Sequence, residues 1–360
     1  MRIDNLGKID LPGGVEPGAC LASANQIVLV LRWRDTCTVV GLQFDPDRPQ
    51  FRQIWHHELA GNVEHQWTGH SVVMNFPSLL LTEDNLLYVI GGTERLLLNA
   101  DSGLPILQTA GLASPTAQAS LVGQEILVPE GQALSAYDVT SLRLNWQRQT
   151  PEKRWAFASV VNGLLPLQSE LDETSTLWQI DSHQVWSVPD APYLKLVPVI
   201  HHSNIIVLSG VGPPNYCFAL DLKTNALQWS FDCSRLIPLT SQIEGILPFP
   251  NPAAISYKEQ ILIATAKPTL EAVSISDGRC LWQVNLSSAP TALAKDADVI
   301  WIGTFSGEVL VIDTNNGTIL AQINVSDYPI SILPLSKNAN QLEAIILGRL
   351  KTMYKVRSFL

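Results

Sequence analysis

Apolar residues along this chain come in short runs separated by polar or glycine-bearing turns. Residues 26–31, 85–90, 125–128, 204–208, 260–264 and 298–302 are dominated by leucine and β-branched side chains. No stretch between them carries the period of an amphipathic helix of useful length. Short strands bounded by turn residues predict an all-β chain. Many of the runs are continuously apolar rather than alternating, which suits strands covered on both faces in sheets stacked face to face.

The pattern repeats. Leu220-Asp221-Leu222-Lys223-Thr224-Asn225-Ala226-Leu227-Gln228-Trp229 returns as Val273-Ser274-Ile275-Ser276-Asp277-Gly278-Arg279-Cys280-Leu281-Trp282, and again from Ile312 to Ala321. Each unit reads as strand, polar turn, strand. Upstream, Asp138 and Trp146 keep the same step, Asn99 to Gly103 carries the turn with Leu107 where Trp would fall, and Asp181 to Trp186 reads as a shortened copy. Asp47 and Trp55 have the step without the glycine. Successive anchors lie about 44 residues apart, the size of a four-stranded propeller blade.

A tight turn needs one residue at positive φ, where glycine and asparagine are least strained. Gly103, Asn225, Gly278 and Gly317 hold that place, and Asp138, Asp221 and Asp313 can accept hydrogen bonds from the turn amides. Five of the ten tryptophans, Trp55, Trp146, Trp186, Trp229 and Trp282, fall on the strand after the turn. An indole there can fill the wedge to the next blade and donate its N–H across it.

Seven such units leave a remainder. Residues 330–333, 342–347 and 353–356 read as three strands of an eighth blade without its outer strand, and residues 6–11 can supply it. The expectation is an eight-bladed β-propeller of four-stranded antiparallel sheets, one domain over residues 1–360, with the N-terminal strand completing the C-terminal blade. A seven-bladed propeller with an irregular appendage is the alternative.

The Asp-x-x-(Thr/Ser/Asn)-Gly-x-x-x-Trp unit resembles the tryptophan-docking repeat of the pyrroloquinoline-quinone-like β-propellers, over roughly residues 18–360. The resemblance implies eight blades. The family contains quinone-dependent dehydrogenases with a Ca²⁺ site of Glu, Asn and Asp oxygens, an Asp base and, in several, adjacent cysteines. It also contains non-catalytic members that assemble larger machines. No two of Cys20, Cys37, Cys217, Cys233 and Cys280 are adjacent, and no Ca²⁺ ligand can be assigned by motif. The expectation is therefore a non-catalytic scaffold without cofactor, a subunit of a bacterial multiprotein system. The alternative is a quinone- or metal-dependent oxidoreductase, or a sensor of a small ligand.

Composition narrows the classes. The chain is 46% hydrophobic and 16% charged, ample for a large core. Its net charge of −10 and lack of a basic stripe argue against nucleic acid. Arg349, Lys351, Lys355 and Arg357 form a small basic group that reads as a solvated strand face. No apolar run is long enough for a membrane span, and residues 1–5 lead into no apolar signal core. With five scattered cysteines, this predicts a cytoplasmic protein with buried thiols.

Two groups invite closer attention. His56, His57, His65 and His70 fall close together with Glu58 and Glu64, a density that can bind a metal, although the spacing matches no zinc motif. Proline-interrupted apolar stretches around Phe76 and Leu79, around Pro213, Pro214 and Tyr216, and around Phe249 are candidate protein-binding loops, because proline lowers the ordering cost of association. There is no nucleophile elbow and no phosphate-binding glycine loop.

Overall fold

The computed structural model describes residues 3–10, 14–15, 20–23, 26–33, 36–44, 51–59, 65–68, 71–74, 78–82, 84–91, 94–110, 119–156, 160–169, 174–188, 195–202, 205–211, 216–232, 254–265, 268–335, 341–348 and 352–359. Among them the one helical element is a 3-10 turn, Pro151–Lys153. The rest is strand and turn, organised as an eight-bladed β-propeller of small antiparallel sheets.

In the first blade, Gly14–Val15 and Cys20–Ser23 both lie along Gln26–Trp33, followed by Thr36–Phe44 and Phe51–Glu58. A hairpin, His65–Thr68 with Ser71–Met74, comes next in the chain. Blades 2 to 7 then follow in strict order, with their outer strands at Pro105–Ala110, Leu144–Gln149, Val185–Val188, Ala226–Asp232, Cys280–Asn285 and Ile319–Asn324. Blade 8 takes Pro329–Pro334, Gln341–Gly348 and Thr352–Phe359 from the end of the chain. Its outer strand is Ile3–Asp10, in antiparallel register with Ile3 opposite Ser358 and Asp10 opposite Thr352. The N-terminal strand thus covers an edge that would otherwise present unpaired amides.

The chain divides into two compact units, Met1–Arg32 with Leu42–Ile54 and Asp232–Leu360, and Trp33–Gly41 with Trp55–Phe231. In the first, Trp301, Val309, Val311, Ala344, Ile346 and Tyr354 pack blades 7 and 8 together. In the second, Tyr88, Leu97, Ile126, Tyr137 and Leu142 join blades 2 and 3, and Leu134, Leu165 and Trp178 join blades 3 and 4. The second and third strands explain the continuous apolar runs. Val299–Thr304 is buried at every position because both of its faces meet a neighbouring sheet. Full burial of each such aliphatic contributes about 1.5–3 kcal/mol. Outer strands bury one face only, and Pro105–Ala110 and Leu144–Gln149 share one alternating pattern of exposure.

One expectation is corrected. Lys355 does not lie on a solvated face; its residue is 3% exposed. Its ammonium stands 3.7 Å from Glu343 and 4.4 Å from the centre of the Phe44 ring. Arg357 Nε donates to the same Glu343 carboxylate at 2.5 Å. Arg349 and Lys351 lie outside the described residues.

Candidate interaction surface

The turn between third and outer strands is built alike in successive blades. The first amide of the turn donates to the carbonyl five residues on: Asn99 to Leu104, Asp138 to Arg143, Gln179 to Gln184, Ser274 to Arg279 and Asp313 to Thr318, all at 2.8–3.0 Å. Four residues after each start, the backbone takes positive φ at Gly103, Leu142, His183, Gly278 and Gly317, and Asn225 holds the same place after Asp221. The fourth-blade turn therefore begins at Gln179, not at Asp181. It looks shortened because its strand pair lacks the bulge that precedes Trp146 and Trp282. The aspartates act as expected from their chemistry. Asp138 Oδ1 accepts from the hydroxyls and amides of Thr140 and Ser141, and those bonds hold its carboxyl down at about 2. Asp221 accepts from the amides of Lys223 and Thr224, and Asp313 from that of Asn315.

The tryptophans occupy the wedges unequally. Trp55 donates to Ala100 O at 2.9 Å and lies over Gly103 of the next blade. Trp186 donates to Leu222 O at 2.7 Å, and Trp282 to Thr314 O at 3.2 Å while lying over Gly317. Trp146 turns instead to Glu125 of its own blade at 3.0 Å, and Arg148 takes the neighbouring carbonyl, Ile180 O, at 3.0 Å. Trp229 is buried. These contacts fix the blades and carry no chemistry.

A surface carrying an exposed aromatic ring lies where blades 6, 7 and 8 connect. Three segments converge there: 286–290 between blades 6 and 7, 304–308 within blade 7, and 325–329 between blades 7 and 8. Phe305 sits at the tip of a tight turn. Its N–H donates to Ala289 O at 2.8 Å, Gly307 N–H to Thr304 O at 3.0 Å, and Val325 N–H to Gly307 O at 2.8 Å. Gly307 has φ of 84°, and a β-carbon there would lie 2.4 Å from Val325 O, so the turn has no room for another residue type. Pinned this way, the Phe305 residue remains 50% exposed. Its ring centre is 5.1 Å from that of Tyr328. Beside Phe305 in these segments, Ser287, Ser288 and Ser306 are hydrogen-bonded to one another, and Ser287 to the buried Glu308.

None of these residues stands out in the sequence by motif. The available signal is local: Thr304-Phe305-Ser306-Gly307 is a turn between two buried strands, and a ring at its tip has no core to enter. Of the histidines, His56 is exposed and His57 half-buried on Phe51–Glu58. The side chain of His65 and all of His70 lie outside the described residues. Among the described residues no three His, Cys, Asp or Glu side chains group as a metal site. Leu79 is half-buried on Ser78–Leu81. Phe76, Pro213, Pro214, Phe249 and the side chain of Tyr216 lie outside the described residues. No described helix is long and apolar enough to cross a membrane.

Stacked four-stranded sheets with this turn and docking indole make a β-propeller whose repeat is similar to that of the PQQ-like propellers. Residues 169–331 match the family described as "Outer membrane protein assembly factor BamB". Among solved structures, BamB from Moraxella catarrhalis is similar with a TM-score of 0.60 and 12% identity, covering 99% of this chain and 98% of that one. Sqt1 from Saccharomyces cerevisiae is similar at 0.65 and 12%, covering 99% of each chain. A europium-containing methanol dehydrogenase is similar at 0.66 and 9%, covering 99% of this chain and 93% of that one. At these identities the likeness is one of fold. No curated protein sequence matches the chain.

Proposed function

We propose that this protein is a non-catalytic protein-interaction scaffold, a subunit of a bacterial multiprotein system, and that it docks a partner on the surface around Phe305. The observation that carries this reading is the half-exposed Phe305 ring, held on a hydrogen-bonded turn and stacked on Tyr328. A rigid aromatic anchor loses little entropy on binding, and anchors of this kind dominate interface energies. Tyrosine and serine beside it give the composition of antibody-like recognition surfaces, where hydroxyls adapt to the partner. The matched family description, which names an assembly factor, supports the same reading.

The test is affinity purification from the native source, with Phe305→Ala alongside. The expected result is a stoichiometric protein partner that is lost in the variant while its circular dichroism and melting temperature are unchanged. Equal retention by the variant, or no partner together with turnover of a small molecule by the purified protein, overturns the proposal.

A further inference from the structure

The hydroxyl protons around Phe305 can be assigned by elimination. The Glu308 carboxylate can only accept, so Ser287 Oγ donates to it, at 2.5 Å. Ser287 has then spent its proton, and its 3.0 Å contact with Ser306 Oγ requires Ser306 to be the donor. Ser288 Oγ in turn donates to Ser306 at 2.9 Å, and accepts the Ser306 N–H at 2.8 Å. Thr304 Oγ1 donates to Glu308 O at 3.2 Å and accepts the Glu308 N–H, so its 3.1 Å contact with Ser306 Oγ carries no proton in this arrangement. Gln322 closes the far side of the carboxylate at 2.5 Å. The protons thus run one way, from Ser288 through Ser306 and Ser287 into Glu308.

That direction decides what the surface offers a visitor. The hydroxyl protons of Ser287, Ser288, Thr304 and Ser306 are all consumed within the cluster, so these four oxygens offer a visitor lone pairs. Glu308 and Asp327 are the charged residues of the three segments, both acidic and both buried, and Asp327 Oδ2 accepts from Thr352 at 2.7 Å. The exposed ring face adds the negative side of its quadrupole. Acceptors, π-face and the acidic residues of these segments all favour a cation that donates hydrogen bonds. An uncharged apolar group would cover these acceptors without replacing their water.

We infer that the partner segment docking on Phe305 and Tyr328 presents an arginine. The inference rests on the protein-docking reading above. A guanidinium is planar, stacks on an aromatic ring and carries five N–H donors, whereas an ammonium is a compact and strongly hydrated point charge. The chain's net charge of −10 favours the same basic partner at longer range.

The probe is a blocked Gly-Ser-Arg-Ser-Gly peptide, compared with versions carrying citrulline or norleucine in place of arginine. Each is titrated into the full protein while the Phe305 ring and the Ser288 and Ser306 amides are followed by NMR. Expected is saturable binding of the arginine peptide, about tenfold tighter than citrulline. Ser306→Ala strips the relay of its middle and frees a Ser288 proton to point outward; the preference should then fall to about threefold or less. Glu308→Gln, which removes the charge, should lower it likewise. Equal affinity for citrulline, tighter binding of norleucine, or no response to any peptide overturns the arginine. A partner still lost on Phe305→Ala in the pull-down would leave the docking surface standing, so the two failures separate.

Discussion

The indole of Trp282 lies against Gly317 so closely that a β-carbon at that glycine would come within 2.6 Å of the ring. One pair of blades makes the opposite choice. At the equivalent positions blade 2 has Leu107 in place of the tryptophan, and blade 3 has Leu142 in place of the glycine, with both in one apolar cluster. A smaller knob is matched by a larger floor. Gly317→Ala should destabilise by about 2–4 kcal/mol through ring overlap and strain at positive φ. Trp282→Leu should cost about 2–3 kcal/mol through the space it opens. The double variant Trp282→Leu with Gly317→Leu should be less damaging than the sum of its singles by at least about 1 kcal/mol in urea unfolding. Simple additivity would show that the leucine pair is coincidence.

Blade 8 buries an ionic group. Glu343 accepts Arg357 Nε and faces the Lys355 ammonium. Glu343→Gln removes a carboxylate charge from the buried Lys355, and breaking a buried pair costs about 3–5 kcal/mol. The melting temperature should fall by several degrees. A variant as stable as the parent would mean that water reaches Lys355.

The turn of blade 3 is acid-sensitive. Hydrogen bonds from Thr140 and Ser141 hold the Asp138 carboxyl at about 2, below its ordinary 3.8. A folded-state value below the unfolded one stabilises above about pH 4, and that contribution is lost as pH falls towards 2. Thr140→Ala should move the Asp138 midpoint upward, read directly by carboxyl-carbon NMR. An unmoved midpoint would assign the depression elsewhere.

Tyr137 behaves in the opposite sense. Burial and then the Glu130 carboxylate, to which its hydroxyl donates at 2.9 Å, push its phenol up to about 12. The raised value stabilises the fold below about pH 10, and the contribution fades as pH climbs towards 12. Tyr137→Phe should cost about 1–3 kcal/mol at neutral pH and flatten the alkaline loss of stability relative to the parent. Parallel curves for the two proteins above pH 10 would refute it.

Deleting residues 1–10 uncovers the whole Thr352–Phe359 edge. The truncated protein should aggregate at concentrations where the parent stays monodisperse by light scattering. Addition of a peptide spanning residues 3–10 should suppress the aggregation.

Much of the blade architecture is readable from periodicity, because second and third strands are covered on both faces and their sequences say so. The turns are readable where glycine or asparagine takes positive φ. They are hidden at Leu142 and His183, residues that advertise no turn: Leu142 is held by its burial in the core, and both turns close with the same backbone bond. Lys355 deceives for a related reason: a lysine in sequence signals solvent, and its tertiary partners, Glu343 and the Phe44 ring among them, make burial tolerable. The surface at Phe305 is the least legible, since its character comes from three segments that meet only after folding, and from a proton direction set by the buried Glu308.

The pairing of Ile3–Asp10 with Thr352–Phe359 also sets a timetable for biosynthesis. Ile3–Asp10 waits for a partner translated more than three hundred residues later, while the outer strands of the other blades follow directly on their own hairpins. Until then Ile3–Asp10 is an orphan segment of the nascent polypeptide, and any chaperone that guards this protein has its natural client there.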